Sequence, residues 1–418
     1  MTGTDRTATT IAGPLAGVRV LELGSFIAGP FAGQLLGDYG AEVIKIEEPR
    51  GGDPMRGWGI TLDGRSLWWP TIARNKKSVA IDLRDEECRE IVRQLAAECD
   101  IMVENFRPGR LAAWGLDHAT LSQRNARLVT VHISGFGQTG PRSSAAGFGS
   151  IGEAVGGIRY TTGSPDRPPA RVGISLGDSL AALFGVSGAL AALTVAQRTG
   201  QGQEVDVAIY EAVYALMEST LADYEIGGVT RSRTGAVLPG VAPSNVYPAA
   251  GGSDVIIAAN ADTVFGRLCA AIGRADLATD PRFATHAARG ANGVELDAII
   301  AEWTSARDIE DLLAVLDAHG VPAGRIFTAP DMLADPHFAA RDMLLRPHTV
   351  EGWDVPMAGV VPKFSQTPGS VRETGPLLGQ HTRVILRDLA GIDEAGFEAL
   401  RGRRVVVDGA ADQAPVSH

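Results

Sequence analysis

Cysteine is scarce in this chain. Cys88, Cys99 and Cys269 are the only three among 418 residues, and no two stand at C-x-x-C or other metal-ligand spacing. That excludes a disulfide framework and a cysteine-held zinc site, and it leads us to expect reduced structural thiols in a cytoplasmic protein. A positive excess is also missing: the formal net charge is −11 and no basic stripe runs along the chain, which argues against nucleic acid as a partner. The first residues, MTGTDRTATTIAG, have neither the charged n-region nor the apolar h-region of a secretory signal. One uncharged stretch, Ser179 to Gln197, is interrupted by Gly185, Ser187 and Gly188, and it reads as a buried core helix rather than a membrane span. No H-E-x-x-H pair or Walker A loop occurs, and the eight histidines, His118, His132 and His381 among them, are scattered, so no metal site is expected.

What is present is a soluble-globular composition, 45% hydrophobic and 21% charged, with 51 glycines and 23 prolines marking many tight turns. Short apolar runs at Val18–Leu23, Val43–Ile46, Val79–Leu83, Ile101–Val103, Leu128–Ile133 and Glu204–Ile209 predict strands. Helical patterns separate them over Phe31–Tyr39 and Asp85–Cys99, and a long helix is predicted over Asp178–Arg198. Alternating strands and helices predict an α/β domain with an open, mostly parallel, Rossmann-like sheet. Composition shifts near residue 227, so we divide the chain into a large α/β domain over 1–226, a smaller α+β domain over 227–340, and a segment over 341–418 that returns to the first. The tail Asp408–His418 reads as mobile.

Four segments can carry chemistry. Leu21–Pro30 (LELGSFIAGP) places a glycine turn after a strand and a proline at a helix start, which presents backbone N–H groups to an anion or is a plain strand–turn–helix. The glycines of that first turn, Gly24 and Gly29, do not have the spacing of a dinucleotide fingerprint. Arg74–Ser78 (RNKKS) is a basic cluster suited to phosphate or simply a solvated face. Glu104–Gly109 (ENFRPG) follows a strand, where open parallel sheets bind ligands, or it is an ordinary turn. Val172–Asp178 (VGISLGD) opens the long helix. Asp178 reads as its N-cap, and a carboxylate there is also placed to attack a thioester carbonyl.

Taken together these segments resemble the family III CoA-transferases, whose relatives include formyl-CoA:oxalate and carnitine CoA-transferases and, on the same scaffold, α-methylacyl-CoA racemases. The likeness runs through PLAGVRVLELGSFIAGPFAGQLLGDYGAEVIKIEEP, RNKKSVAIDL, VENFRPG, ISGFGQTGP, TTGSPDRPPARVGISLGD, RTGQGQEVDVAIYEA and PLLGQHTRVIL. It implies Asp178 as the nucleophile and no permanently bound cofactor, with coenzyme A arriving as acyl-CoA substrate. The implied CoA contacts lie at Phe26, Ile27 and Ala28; at Ile72, Arg74, Asn75 and Lys76; at Asn105, Phe106 and Arg107; and at Ser134, Gly135, Phe136 and Gly137. It also implies a homodimer of interlocked rings. The racemase His-Asp pair falls on Phe148 and Gly149 here, and the glycine run and lysine of the oxalate enzymes are missing, so both become secondary readings, as does a non-catalytic acyl-CoA-binding protein. GFGSIGEAVGGIRYTTG (Gly147–Gly163) is similar to members that take CoA from succinyl-CoA to a C4–C6 dicarboxylate. Arg159 and Arg171 are either guanidinium partners for the second carboxylate or surface charges.

Overall fold

The computed structural model describes residues 13–409; the N-terminal stretch read above for a signal, as far as residue 12, and the tail from residue 410 lie outside the described residues. Contacts divide the chain into two compact units. The larger comprises Met1–Ile158, Gly173–Glu218 and His337–His418; the smaller comprises Arg159–Val172 and Ser219–Pro336. The stretch Arg159–Val172, expected in the first domain from its position before residue 227, groups instead with the smaller unit.

The larger unit is built on a seven-stranded sheet. Its strands are β1 (Arg19–Glu22), β2 (Glu42–Glu47), β3 (Lys76–Ile81), β4 (Ile101–Glu104), β5 (Val129–Ser134), β6 (Glu204–Ala208) and β7 (Val406–Val407). Their order is β7-β3-β2-β1-β4-β5-β6. All neighbours are parallel except β7, which pairs antiparallel with β3 through Val406 and Ile81. Alternation within each strand feeds two cores. Val20, Val43, Ile101 and Val103 face one side, with Leu35 and Leu36 of α1 (Ala28–Asp38). Leu21, Ile44, Ile81 and Met102 face the other, with Cys88, Ile91 and Leu95 of α2 (Glu86–Ala97). Asp85 caps α2 by accepting from Cys88 N–H at 3.1 Å. Two further helices, α3 (Gly149–Val155) and α4 (Leu176–Thr199), lead towards α5 (Ile209–Tyr214). Helices Thr382–Ala390 and Glu394–Gly402 bring the end of the chain back onto the α2 side through Ile385, Leu386, Phe397 and Leu400.

The small residues of α4 have a packing reason. A side chain on Gly185 would lie 3.3 Å from Ile133 Cδ1, and one on Gly188 would lie 2.6 Å from Val205 Cγ1, so the helix beds closely on β5 and β6. Its length and hydropathy would also suit a membrane span, yet Ala181, Ala182, Val186, Ala189 and Leu193 are buried within the larger unit. All three cysteines are buried and unbridged, and burial pushes the thiols of Cys88 and Cys269 up to about 12 and about 11.

The smaller unit is α+β. Strands Ser244–Pro248, Asp254–Ala258 and Ala323–Arg325 form an antiparallel sheet with the middle strand at its centre. Val255 and Ile257 point into a core with Phe265, Leu268, Leu296, Ile300, Leu312 and Leu316 from three helices. Arg289 is fully buried there, donating to the carbonyls of Ala242, Phe283 and Asn260 and pairing with Asp262 at 2.6 Å.

Candidate active site

Running outward from β3 to β1 and then on from β4 to β6, the strand order reverses between β1 and β4, and in an open parallel sheet ligands bind at that point beyond the strand ends. The loops after β1 and β4 meet there. Ser25 N–H donates to Asn105 Oδ1 at 2.8 Å, and Asn105 Nδ2 donates back to the Ser25 carbonyl at 2.8 Å. The turn is tight because Gly24 and Gly29 lie face to face, a Cβ on either falling 3.0 Å from the other's Cα. Beside it opens a cleft of about 280 Å³ whose lining includes Gly24, Ser25, Asp53, Arg84, Phe106 and Trp114.

Phe26 adopts a left-handed backbone, φ +64°, which is unfavourable for a bulky residue and must be held. Asp53 holds it: Asp53 Oδ1 accepts from Phe26 N–H at 3.1 Å and from Met55 N–H at 2.9 Å. Asp53 is itself tied into a buried ion cluster. Lys45 Nζ lies 2.9 Å from Asp53 Oδ2 and 2.8 Å from Glu22 Oε1, and it donates to the Gly24 carbonyl at 2.8 Å. Lys76 Nζ lies 2.8 Å from Glu22 Oε2 and donates to the Pro30 carbonyl at 2.6 Å. Burial disfavours the Lys45 ammonium, yet the carboxylates of Glu22, Asp53 and Glu47 outweigh it and hold that group above its ordinary value. At Lys76 burial wins, helped by the charge on Lys45, and the value falls to about 8. A neighbouring pair completes the support: Glu47 is gripped by Arg56 at 2.8 Å and accepts from Ser78 Oγ at 2.6 Å, which against its burial holds its carboxyl down at about 2.

This network changes the reading of the basic cluster. The side chains of Arg74 and Lys76 point inward onto buried carboxylates rather than outward to a phosphate. Arg74 grips Asp38 with Nε and Nη2 at 2.9 and 2.6 Å, and Lys76 serves Glu22. Asn75, left-handed at φ +61°, donates to Asp38 at 2.8 Å and accepts from Arg372 N–H at 2.7 Å. Ile72 packs with Ile27, Met55 and Trp69 under the Phe26 loop. Lys77 is the half-exposed member of the cluster and pairs with Glu42 at 2.5 Å.

Beyond β4, Glu104 is buried and bridges two parts: Oε2 accepts from Phe106 N–H at 2.7 Å, and Oε1 meets His132 Nδ1 at 2.6 Å. Burial works against the charged imidazole, but Glu104, with Glu204 and Asp206 behind it, raises His132 above its ordinary value. Arg107 is exposed at the loop edge. Beyond β5, Ser134 Oγ accepts from Gly137 N–H at 2.9 Å, and Gly135 abuts Gly147 so closely that a Cβ on it would fall 2.7 Å from Gly147 Cα. Phe136 stacks at a tilt on Tyr210, 6.0 Å between centroids.

The start of α3 joins these loops to Asp178. Phe148 meets Phe26 edge-to-face at 6.4 Å, and a Cβ on Gly149 would lie 2.2 Å from Asp178 Oδ2. The structure thus brings together the segments at Phe26, Asn105–Phe106, Ser134–Gly137 and Asp178. Asp178 is not the helix cap, however. The first turn closes one residue set earlier, Ser179 N–H donating to the Ser175 carbonyl at 3.1 Å, so Ser175 is the N-cap and Asp178 stands third in α4, half-buried, in the turn where the helix dipole favours a carboxylate. Arg159 and Arg171 belong to the smaller unit, half-buried and exposed respectively.

Two motif strings escape the reading above. Gly173–Gly177 spells G-x-S-x-G, but no strand leads into it, as a nucleophile elbow requires, and Ser175 is a helix cap. Gly147–Gly152 spells G-x-G-x-x-G, but it follows a long loop rather than a strand, and its glycines serve packing on Gly135, Asp178 and Ile209. Glu22, Lys45, Asp53 and Glu153 were missed as site supports; charged residues inside otherwise apolar strands, as Glu22 and Lys45 are, were the available signal.

A profile of CoA-transferase family III matches residues 15–382. A succinyl-CoA–D-citramalate CoA-transferase of Chloroflexus aurantiacus is 56% identical over 394 residues, covering 94% of this chain and 98% of that protein. A succinate–glutarate CoA-transferase of Agrobacterium fabrum is 37% identical, covering 91% and 96%. Among solved structures, a CAIB/BAIF family protein from Brucella suis superimposes with a TM-score of 0.80 at 38% identity, covering 90% of this chain and 100% of that one.

Proposed function

The chain belongs to CoA-transferase family III and is a CoA-transferase, and from that premise we propose that it moves CoA from succinyl-CoA to a C4–C6 dicarboxylate, with citramalate the first acceptor to test. The observation that carries the catalytic part is Asp178: a half-buried carboxylate in the first turn of a 24-residue helix, pressed against the bare Cα of Gly149 and joined through Phe148 to the Phe26 loop at the sheet's switch point.

The reaction runs through Asp178 in balanced steps. Its carboxylate oxygen attacks the succinyl thioester carbon, the C–S bond breaks, and a mixed anhydride and CoA thiolate result. The thiolate attacks the Asp178 carbonyl, expelling succinate and leaving an aspartyl-CoA thioester. The acceptor carboxylate then displaces the thiolate, and the thiolate returns to the acceptor's acyl carbon, restoring Asp178. No proton is gained or lost, so no second acid or base is required at Phe148 or Gly149. Gly149 also has no space for a side chain with Asp178 where it stands, which disfavours the racemase reading. CoA is assigned to the cleft edge formed by Phe26–Ala28, Asn105–Arg107 and Ser134–Gly137, with Arg159 and Arg171 the candidates for a distal carboxylate.

The homodimer belongs to the same reading. Leu183, Phe184 and Val195 of α4 are each more than two-fifths exposed, and a second copy is the occupant we assign to that apolar face. Three buried reduced cysteines suit a cytoplasmic setting. Incubating the protein with succinyl-CoA and a panel of mono- and dicarboxylates, with CoA products read by mass, tests the assignment. Citramalyl-CoA or a near relative should dominate, and transfer restricted to monocarboxylates would refute it.

A further inference from the structure

Glu153 has no part in the steps above, yet it is 1% exposed and lies on α3 one turn beyond Gly149. Its Oε1 accepts from the backbone N–H of Gly177 at 3.3 Å. Gly177 is the residue before Asp178, in the leading turn of α4, where N–H groups have no acceptor within the helix. The two helices touch at three points along this line. Glu153 reaches Gly177 N–H, the Gly149 carbonyl oxygen lies 3.1 Å from where a Gly177 Cβ would stand, and Gly149 itself backs the Asp178 carboxylate. Alongside, α3 packs tightly on α5: a Cβ on Gly152 would fall 2.5 Å from Ile209 Cγ2. A carboxylate in such a place is unfavourable unless it makes hydrogen bonds, and an apolar side chain would fill the space without that penalty.

We propose that Glu153 is a positioning residue for Asp178: by accepting from Gly177 N–H it locks the first turn of α4 against α3 and so fixes where the nucleophilic carboxylate stands. The inference rests on Asp178 being the nucleophile. This role asks of Glu153 a hydrogen-bond acceptor at a set reach. Glutamine keeps that reach and loses the charge, whereas aspartate keeps the charge and falls one methylene short.

The pair Glu153→Gln and Glu153→Asp separates the possibilities in the full-length enzyme. Glu153→Gln should keep kcat within about threefold of the parent. Glu153→Asp should lose about ten- to a hundredfold in kcat, the scale of a misplacement of about 1 Å, with KM for succinyl-CoA nearly unchanged and labelling of Asp178 slowed by the same factor. Thermal melts of both variants show that folded protein is being compared. The reverse pattern, equal losses in both, or no loss in either would overturn the proposal. Hydroxylamine labelling of the parent enzyme keeps the two levels apart: if label is absent from Asp178 the underlying nucleophile reading fails, whereas label at Asp178 with the wrong variant pattern sinks only the role of Glu153.

Discussion

Replacing Asp53 with alanine tests how the buried ion cluster serves the ligand loop. The side chain is 1% exposed and loses three contacts at once: Phe26 N–H at 3.1 Å, Met55 N–H at 2.9 Å and Lys45 Nζ at 2.9 Å. Breaking a buried ion pair typically costs about 3–5 kcal/mol. Lys45 keeps Glu22 and the Gly24 carbonyl, which puts the expected loss at the lower end, about 3 kcal/mol. That is a large share of the ~5–15 kcal/mol that holds a domain together, but the protein should still fold. The second consequence is local. A left-handed bulky residue is unfavourable by roughly 1–2 kcal/mol, and without Asp53 as acceptor Phe26 is free to relax. A shift of about 1.4 kcal/mol in loop population reduces the competent fraction tenfold, so KM for succinyl-CoA should rise about tenfold with kcat little changed. Urea unfolding gives the first quantity and steady-state kinetics the second. Asp53→Asn, which keeps an oxygen for Phe26 and Met55, should be destabilised with a smaller rise in KM. Stability within 1 kcal/mol of the parent, or a destabilised Asp53→Ala with unchanged KM, would refute the link between cluster and loop.

Arg74→Met should lose about 3–5 kcal/mol of stability, because it leaves the Asp38 carboxylate buried without its guanidinium, while KM for CoA substrates stays within about twofold. A stable variant with weakened CoA binding would restore the phosphate-contact reading. His132 has its folded value raised, so its stabilisation is present in full below the unfolded value of about 6.5 and is lost as pH rises through the higher folded value. The melting temperature of the parent relative to His132→Gln should therefore fall across that window; a constant difference would contradict it. His118 and His381 are shifted the other way by burial, which is why the difference between variants, not the parent curve alone, carries the test. Arg→Met at Arg159 or Arg171 should impair diacid acceptors about ten- to a hundredfold more than monocarboxylates of equal length if that residue meets the distal carboxylate; equal effects on both would remove it from the assignment.

The sheet was readable from the sequence because its strands are short apolar runs, and a parallel sheet covered on both faces needs such runs. The helix beginning at Asp85 and the burial of the small-residue helix were legible from local pattern as well. The start of α4 was not. Glycines at Gly173 and Gly177 and the preference of aspartate for caps both favour a start at Asp178, but the first hydrogen bond forms from Ser175. The basic cluster misled because charge suggests solvent, while its partners lie far off in sequence: Arg74 and Asp38 are 36 residues apart. The left-handed Phe26 had no local signal, since the residue that stabilises it, Asp53, sits 27 residues away on another loop. Long-range polar pairing of this kind depends on the finished topology, which residue patterns do not encode locally.

The central claim, that Asp178 carries the acyl group and then CoA, is tested most directly by incubating the enzyme with succinyl-CoA, quenching with hydroxylamine and mapping the peptides by mass. The account predicts a hydroxamate on Asp178, formed only when succinyl-CoA is present and diminished when a competent acceptor acid is added before the quench. Modification confined to other residues, or transfer activity persisting in a folded Asp178→Ala variant, would contradict it.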